Sequence, residues 1–170
     1  MKEENKALKE ENDAMRTRLE NVENKTDDLE SRSKRNNIII HRIQRKEEET
    51  RQECEELVCE MITDKLELAE TIQFDRVHRL NAKPNSPIVA RCTFYKDKEK
   101  IMKEKWKLKG SSVFIGDDFS AKVREVRRKL LPHLGAAKDQ KKRATMVFGH
   151  LLIEGRKFVL DSEDKLREVT

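Results

Sequence analysis

Aromatic side chains are scarce in this chain: six Phe, one Tyr and one Trp among 170 residues. Most of so few rings fit core positions, which leaves little from which to build a stacking surface. Only five glycines are present, scattered, and none forms a GxGxxG or P-loop pattern, so a Gly-rich phosphate cradle is excluded. Three cysteines, an odd number, give no disulfide framework. Cys54 and Cys59 lie five apart in a helical pattern, Cys92 falls in an expected strand, and none has metal-ligand spacing with a histidine. All three read as buried thiols of a reducing compartment. No apolar run approaches transmembrane length and no signal peptide is present, so a soluble intracellular chain is expected, with no membrane partner. His41, His78, His133 and His150 are isolated, and no Ser or Cys sits in a nucleophile elbow. Asp117-Asp118 reads as turn chemistry before a helix rather than a metal pair. No catalytic site, metal or cofactor is expected, and the chain does not read as an enzyme.

Charge is what the sequence has in abundance: 42% of residues are Asp, Glu, Lys or Arg, against 35% hydrophobic. Its distribution is uneven. Residues 1–36 carry nine Lys and Arg against ten acids, residues 37–118 sixteen against sixteen, and residues 119–170 thirteen against seven. The whole positive excess therefore sits in the last third, which points to a polyanionic partner there.

Leu8, Met15, Val22 and Leu29 recur at seven-residue spacing, and Asn5, Asn12, Leu19, Thr26 and Ser33 run three residues ahead of them. With the first series at d and the second at a, residues 1–36 read as a left-handed coiled coil. Asn at a costs stability and specifies register and oligomer state. Arg18 falls at g and Glu23 at e, facing each other across neighbouring strands; an exposed pair of this kind contributes ~0–1 kcal/mol. Leu8, Met15, Arg18, Leu19, Val22, Glu23 and Leu29 are the expected oligomerisation residues. Met1 opens directly onto the heptads, as a piece cut from a longer coil would.

Past the basic junction Arg32–Arg35, Asn36-Asn37 can end a helix. Ile38–Ile43 then reads as a buried strand, and residues 51–70 as a helix with Cys54, Leu57, Val58, Met61, Ile62 and Leu66 on one face. Strands are expected at Ile72–Leu80 and Ile88–Phe94, around a turn holding Pro84 and Pro87. A lysine-rich helix over 96–108 would pack through Ile101, Met102 and Trp106, its lysines forming a solvated face, before a short strand at Val113–Ile115. That order is βαββαβ, the split-βαβ plan of ferredoxin-like and RNA-recognition-motif (RRM) domains. Residues 119–170 predict a second, small α+β unit. It comprises a helix over 121–134 capped by Ser120, strands near Ala144–Phe148, His150–Glu154 and Lys157–Leu160, and a final short helix from Ser162. The fold class is thus α+β: an N-terminal parallel coiled coil (1–36), a ferredoxin-like RRM domain (37–118) and a C-terminal nucleic-acid-binding domain (119–170).

The first strand offers isoleucines and the third has aromatics only at its end, so a base-stacking platform on that sheet is not expected. Nucleic acid would be held by Lys and Arg on phosphates, with weak sequence preference.

Several short stretches, in order along nearly the whole chain, resemble the RNA-binding protein encoded by the first open reading frame of LINE-type non-LTR retrotransposons. Leu29-Glu30-Ser31-Arg32-Ser33-Lys34-Arg35-Asn36-Asn37-Ile38 is similar to that family's coil-to-domain junction. Arg76-Val77-His78-Arg79-Leu80 and Pro87-Ile88-Val89-Ala90-Arg91 are similar to its central strands. Asp118-Phe119-Ser120, Arg127-Arg128 and Pro132 are similar to its C-terminal helix, although Leu130 and Leu131 stand where the family often has an aromatic. Arg18, Leu19, Val22 and Glu23 match a trimer-specifying coiled-coil pattern that the family also uses.

The resemblance implies a parallel homotrimer, a variant RRM domain and a C-terminal domain that together coat single-stranded RNA cooperatively. It implies binding of single-stranded DNA as well, and nucleic-acid chaperone activity during target-primed reverse transcription. Cytoplasmic ribonucleoprotein particles are the implied location, and the nucleus a second one. By position, Arg32, Arg35, Arg76, Arg79, Arg127 and Arg128 become the RNA contacts, to which the basic loop adds Lys141, Lys142 and Arg143. The RNA is expected in a cleft between the RRM sheet and the C-terminal domain. The competing reading is a coiled-coil scaffold whose folded domain binds another protein. A DNA-binding zipper is disfavoured, because its basic helix should precede the heptads.

Overall fold

The computed structural model describes residues 2–68 and 71–169. The chain divides into two compact units, one of Arg32–Asp118 and one of Met1–Ser31 with Phe119–Thr170.

The unit Arg32–Asp118 begins where helix α1 (Lys2–Lys34) ends. Asn36 makes the exit: its carbonyl accepts from Cys92 N–H at 3.0 Å and its amide donates to Cys92 O at 3.3 Å. Strand β1 (Asn37–His41) follows, and Arg42 ends it with a left-handed φ of 64°. Helix α2 (Arg51–Leu66) starts at a capping box, with Thr50 Oγ1 accepting from Glu53 N–H and the Glu53 carboxylate accepting from Thr50 N–H. It stops at Leu66, where Glu67 adopts the left-handed C-cap conformation, short of the expected end at 70; residues 69 and 70 lie outside the described residues. Then come β2 (Phe74–Arg79, bulged at Asp75), β3 (Ile88–Cys92), α3 (Tyr95–Glu104), a 3₁₀ turn (Lys105–Leu108) and β4 (Phe114–Asp117).

The four strands form one sheet in the order β2-β3-β1-β4, every neighbouring pair antiparallel. The βαββαβ order read from the sequence is therefore the order observed. One sheet face carries Ile38, Ile40, Val77, Ile88, Ala90, Cys92 and Ile115, and these close a core with Val58, Met61, Ile62 and Leu66 of α2 and Ile101 of α3. Two expectations fail here. Trp106 does not pack: α3 ends at Glu104, the tighter turn rotates the indole outward, and Leu108 takes the core place instead. Cys59 is exposed, while Cys54 and Cys92 are buried. Residues five apart on a helix lie well over a third of a turn from each other, so Cys54 and Cys59 cannot share a face.

In the other unit, α4 (Ala121–Asp139) runs through Pro132 and beyond the expected end at 134. Val123, Leu130 and Ala137, seven apart, form its buried stripe. Strands β5 (Ala144–Val147), β6 (His150–Ile153), β7 (Arg156–Leu160) and β8 (Leu166–Val169) make an antiparallel meander in that order. The last element is a strand and not the short helix expected from Ser162. Asp161 Oδ1 accepts from the N–H groups of Glu163 and Lys165, Asp164 takes φ 59°, and this turn folds Leu166–Val169 back onto β7.

Helix α1 docks into this unit by its outer face. Ser120 Oγ donates to Asp27 Oδ1 at 2.5 Å and Lys122 Nζ to Asn24 Oδ1 at 2.6 Å. In the heptad register Asn24 is f and Asp27 is b. The a and d side chains Leu8, Met15, Leu19, Val22 and Leu29 stay exposed, at 53–63%.

Candidate nucleic-acid interface

Strand pairing sorts the arginines of the Arg32–Asp118 unit. Side chains alternate across a strand, so Arg76 and Arg79, three apart, must point to opposite faces of the sheet. Arg76 stands on the face away from α2 and α3 and is exposed. Arg79 points inward and is consumed there. Its Nε and Nη2 fork onto the Glu49 carboxylate at 2.9 and 3.0 Å, and its Nη1 donates to the carbonyls of Ile43 at 2.6 Å and Ser86 at 2.9 Å. The two side chains are 7% and 1% exposed. The Arg79 hydrogen bonds hold the Glu49 carboxyl below the usual carboxylate range. Arg79 therefore ties the loop after β1 to the loop before β3 and offers no cation to a ligand.

Register places the residues of the helix-free face in rows. Arg76 stands opposite Arg91, and Arg91 opposite Asn37. The next row is His78, Val89, Ile39 and Gly116; the next pairs His41 with Phe114, whose rings lie 5.6 Å apart. Like charges directly opposite each other across strands are destabilising. Asp75 Oδ2, 3.5 Å from Arg91 Nε, offsets only part of this. Burial first, and then a neighbouring arginine (Arg42 and Arg76 respectively), hold His41 and His78 below the usual imidazole range. The face thus presents two guanidinium groups and two neutral imidazoles. At its edge, the Arg35 guanidinium lies 4.3 Å from the Tyr95 ring centroid, and both side chains are exposed. Arg32 is exposed in the last turn of α1. The lysine-rich helix is not uniformly solvated: Lys98 is buried against Asp117 at 2.8 Å and the Arg35 carbonyl at 2.7 Å.

In the C-terminal segment, Arg127 and Arg128 diverge, as adjacent helical residues must. The Arg127 guanidinium lies 4.4 Å over the Phe119 ring and donates to the Phe148 carbonyl at 2.6 Å. Phe119 and Phe148 meet edge to face at 5.8 Å. Phe148 is exposed and holds a left-handed φ of 48°, an uncommon conformation for an aromatic residue. Arg128 forks onto Glu125 at 2.7 and 3.0 Å, which lowers the Glu125 pKa and raises that of Arg128. Lys141, Lys142 and Arg143 form an exposed basic loop between α4 and β5. Backbone hydrogen bonds pin the loop at Lys138, Ala137 and Glu154 and leave its side chains directed outward.

No protein-family model matches the chain, and no curated protein matches it in sequence. The candidate residues therefore rest on their geometry. Of the nine basic positions singled out in the sequence, Arg76, Arg32, Arg35 and the loop 141–143 are exposed, Arg127 and Arg128 are held by neighbours, and Arg79 is interior. Sequence reasoning passed over Arg91, His41, Tyr95 and Phe114. The signal for Arg91 was available: it follows Val89 by two in a strand whose Ile88, Ala90 and Cys92 face the core.

Proposed function

We propose that this chain is a single-stranded RNA-binding protein with an RRM-type domain, assembled through α1 as a parallel homotrimer. It holds phosphates with little sequence preference and acts as the ribonucleoprotein component and nucleic-acid chaperone of a LINE-type element. The observation that carries this reading is the Arg76–Arg91 cross-strand pair on the helix-free sheet face. Two cations set opposite each other cost energy in the free protein and are relieved by a bound anion. The exposed loop Lys141–Arg143 supplies a second set of cations. The exposed a and d residues of α1 supply the reason to assemble, since five half-exposed apolar side chains per helix gain from burial in a seam. Linking weak sites in this way raises avidity by about 10²–10⁴ without new contacts.

The test is filter binding of a single-stranded RNA across a salt series with the full chain. The expected result is a steep negative slope of log affinity on log salt, shallower by about one unit for Arg76→Ala. A salt-insensitive affinity would sink the phosphate reading. An Arg76→Ala/Arg91→Ala double variant that binds as the parent does would remove the sheet face from it.

A further inference from the structure

Beside the edge strand β4 lies a cavity of about 480 Å³, lined by the 3₁₀ turn, the loop after it and Phe114. Two exposed rings border it: Trp106, at 67% exposure, and Phe114, at 58%. Neither ring serves the core, which Leu108 and Ile115 fill on either side. Phe114 is nonetheless held in place. Its ring lies against His41 and over Gly116, where an added Cβ would come within 3.4 Å of it. Arg42, Lys103, Lys105 and Lys109 stand around the cavity, and no acidic residue lines it. Among the described residues, none of these four cations is paired with a carboxylate. Lys107, in the same turn, points elsewhere and is paired with Glu67 and Glu104. Solvent-exposed rings ringed by uncompensated cations are what single-strand binders use: the rings take bases and the cations take the backbone.

We propose that this cavity receives a nucleobase of the bound single strand, stacked on Trp106 and Phe114, while Arg42, Lys103, Lys105 and Lys109 hold the adjoining phosphates. The proposal rests on the reading of the chain as a single-strand binder and adds a base-contacting site to the phosphate contacts. The volume suits one nucleotide. A peptide laid along the β4 edge is the other occupant such a place admits. The all-cationic rim with two rings favours the nucleic acid.

Trp106 is the sole tryptophan, so the indole emission of the full chain reports on this cavity alone. The experiment titrates the full chain with a dye-labelled oligouridylate of about 20 nucleotides, longer than a typical single-strand site. Anisotropy and indole emission are followed together, and an abasic strand of equal length is run in parallel. Both strands should raise the anisotropy. Only the base-bearing strand should quench Trp106, by about twofold or more. Phe114→Leu should weaken the base-bearing strand roughly 5- to 150-fold, the range of one lost stack, and leave the abasic strand unchanged. Phe114 is exposed, so this variant keeps its core. If anisotropy rises while emission stays flat, the strand binds elsewhere: this site is overturned and the single-strand reading stands. If neither signal moves, both fall. Quenching by an acidic peptide and not by oligouridylate assigns the cavity to a protein partner and overturns the proposal.

Discussion

Arg79→Ala separates a contact that holds the fold from one that holds RNA. The substitution strips both guanidinium donors from the Glu49 carboxylate, which is 1% exposed and keeps the Lys46 N–H at 3.3 Å, and leaves the carbonyls of Ile43 and Ser86 without the guanidinium. Breaking a buried, hydrogen-bonded pair from one side costs about 3–5 kcal/mol, because a desolvated charge is left behind. Against a domain stability of about 5–15 kcal/mol and a urea dependence of about 1–2 kcal/mol per molar, the midpoint should fall by about 1.5–5 M. Trp106 belongs to the same unit, so its emission follows the relevant transition. Glu49→Ala/Arg79→Ala should be less damaging than Arg79→Ala alone, since no orphaned carboxylate remains.

The pH dependence gives a second arm to this test. In the parent chain Glu49 has a lowered pKa, so its stabilisation is present above the unfolded carboxylate value and is lost as pH falls through the folded one. In Arg79→Ala the buried carboxylate prefers its proton, so acid relieves the variant. The stability gap between parent and variant should therefore narrow as pH falls from 7 toward 4. A variant with an unchanged urea midpoint and lost RNA affinity would refute the clamp and return Arg79 to the RNA contacts.

Other perturbations separate the remaining roles. His41 and His78 are held below the usual imidazole range, and a phosphate laid on their face would raise both pKa values. Binding would then take up protons, so RNA affinity should rise as pH is lowered into and below the usual imidazole range. His41→Asn/His78→Asn should flatten that profile in an anisotropy series. Met15→Glu or Leu19→Glu places a charge in the heptad seam and should yield monomers in sedimentation equilibrium, with monomer-level RNA affinity. Arg18→Ala or Glu23→Ala should loosen or change the assembly state in the same measurement.

Much of this fold was legible because its signals are local. The β-branched run Ile38–Ile40, the apolar face of α2 through Cys54, Val58, Met61, Ile62 and Leu66, and the Ser120 cap of α4 each determine an element without help from distant residues. What was not legible depends on partners far along the chain. Leu166–Val169 becomes a strand because β7 presents an edge to pair with, and no propensity within four residues announces that. Arg79 looked like Arg76 because both are arginines in one short motif. Parity alone separates them, and the Glu49 that answers Arg79 lies 30 residues upstream. The rings were undercounted for a related reason. Phe114 and His41 sit on strands that are neighbours only in the sheet, and Trp106 turns outward only because α3 tightens into a 3₁₀ turn.

The heptad letters also decide whether the coil and the C-terminal segment compete for the same surface of α1. Asn24 and Asp27, which receive Lys122 and Ser120, occupy f and b, on the side of the helix away from the a/d seam. A coil closed through Leu8, Met15, Leu19, Val22 and Leu29 would not have to break either contact. Ser120→Ala tests this directly. It removes the cap on the Val123 N–H and the bond to Asp27, from a side chain that is fully buried. The cost should be about 1–2 kcal/mol, read as a lower melting temperature of α4 by circular dichroism. The assembly state by light scattering should not move. If Ser120→Ala dissociates the oligomer instead, docking and assembly share a face, and the register that places Leu8 and Val22 at d is wrong.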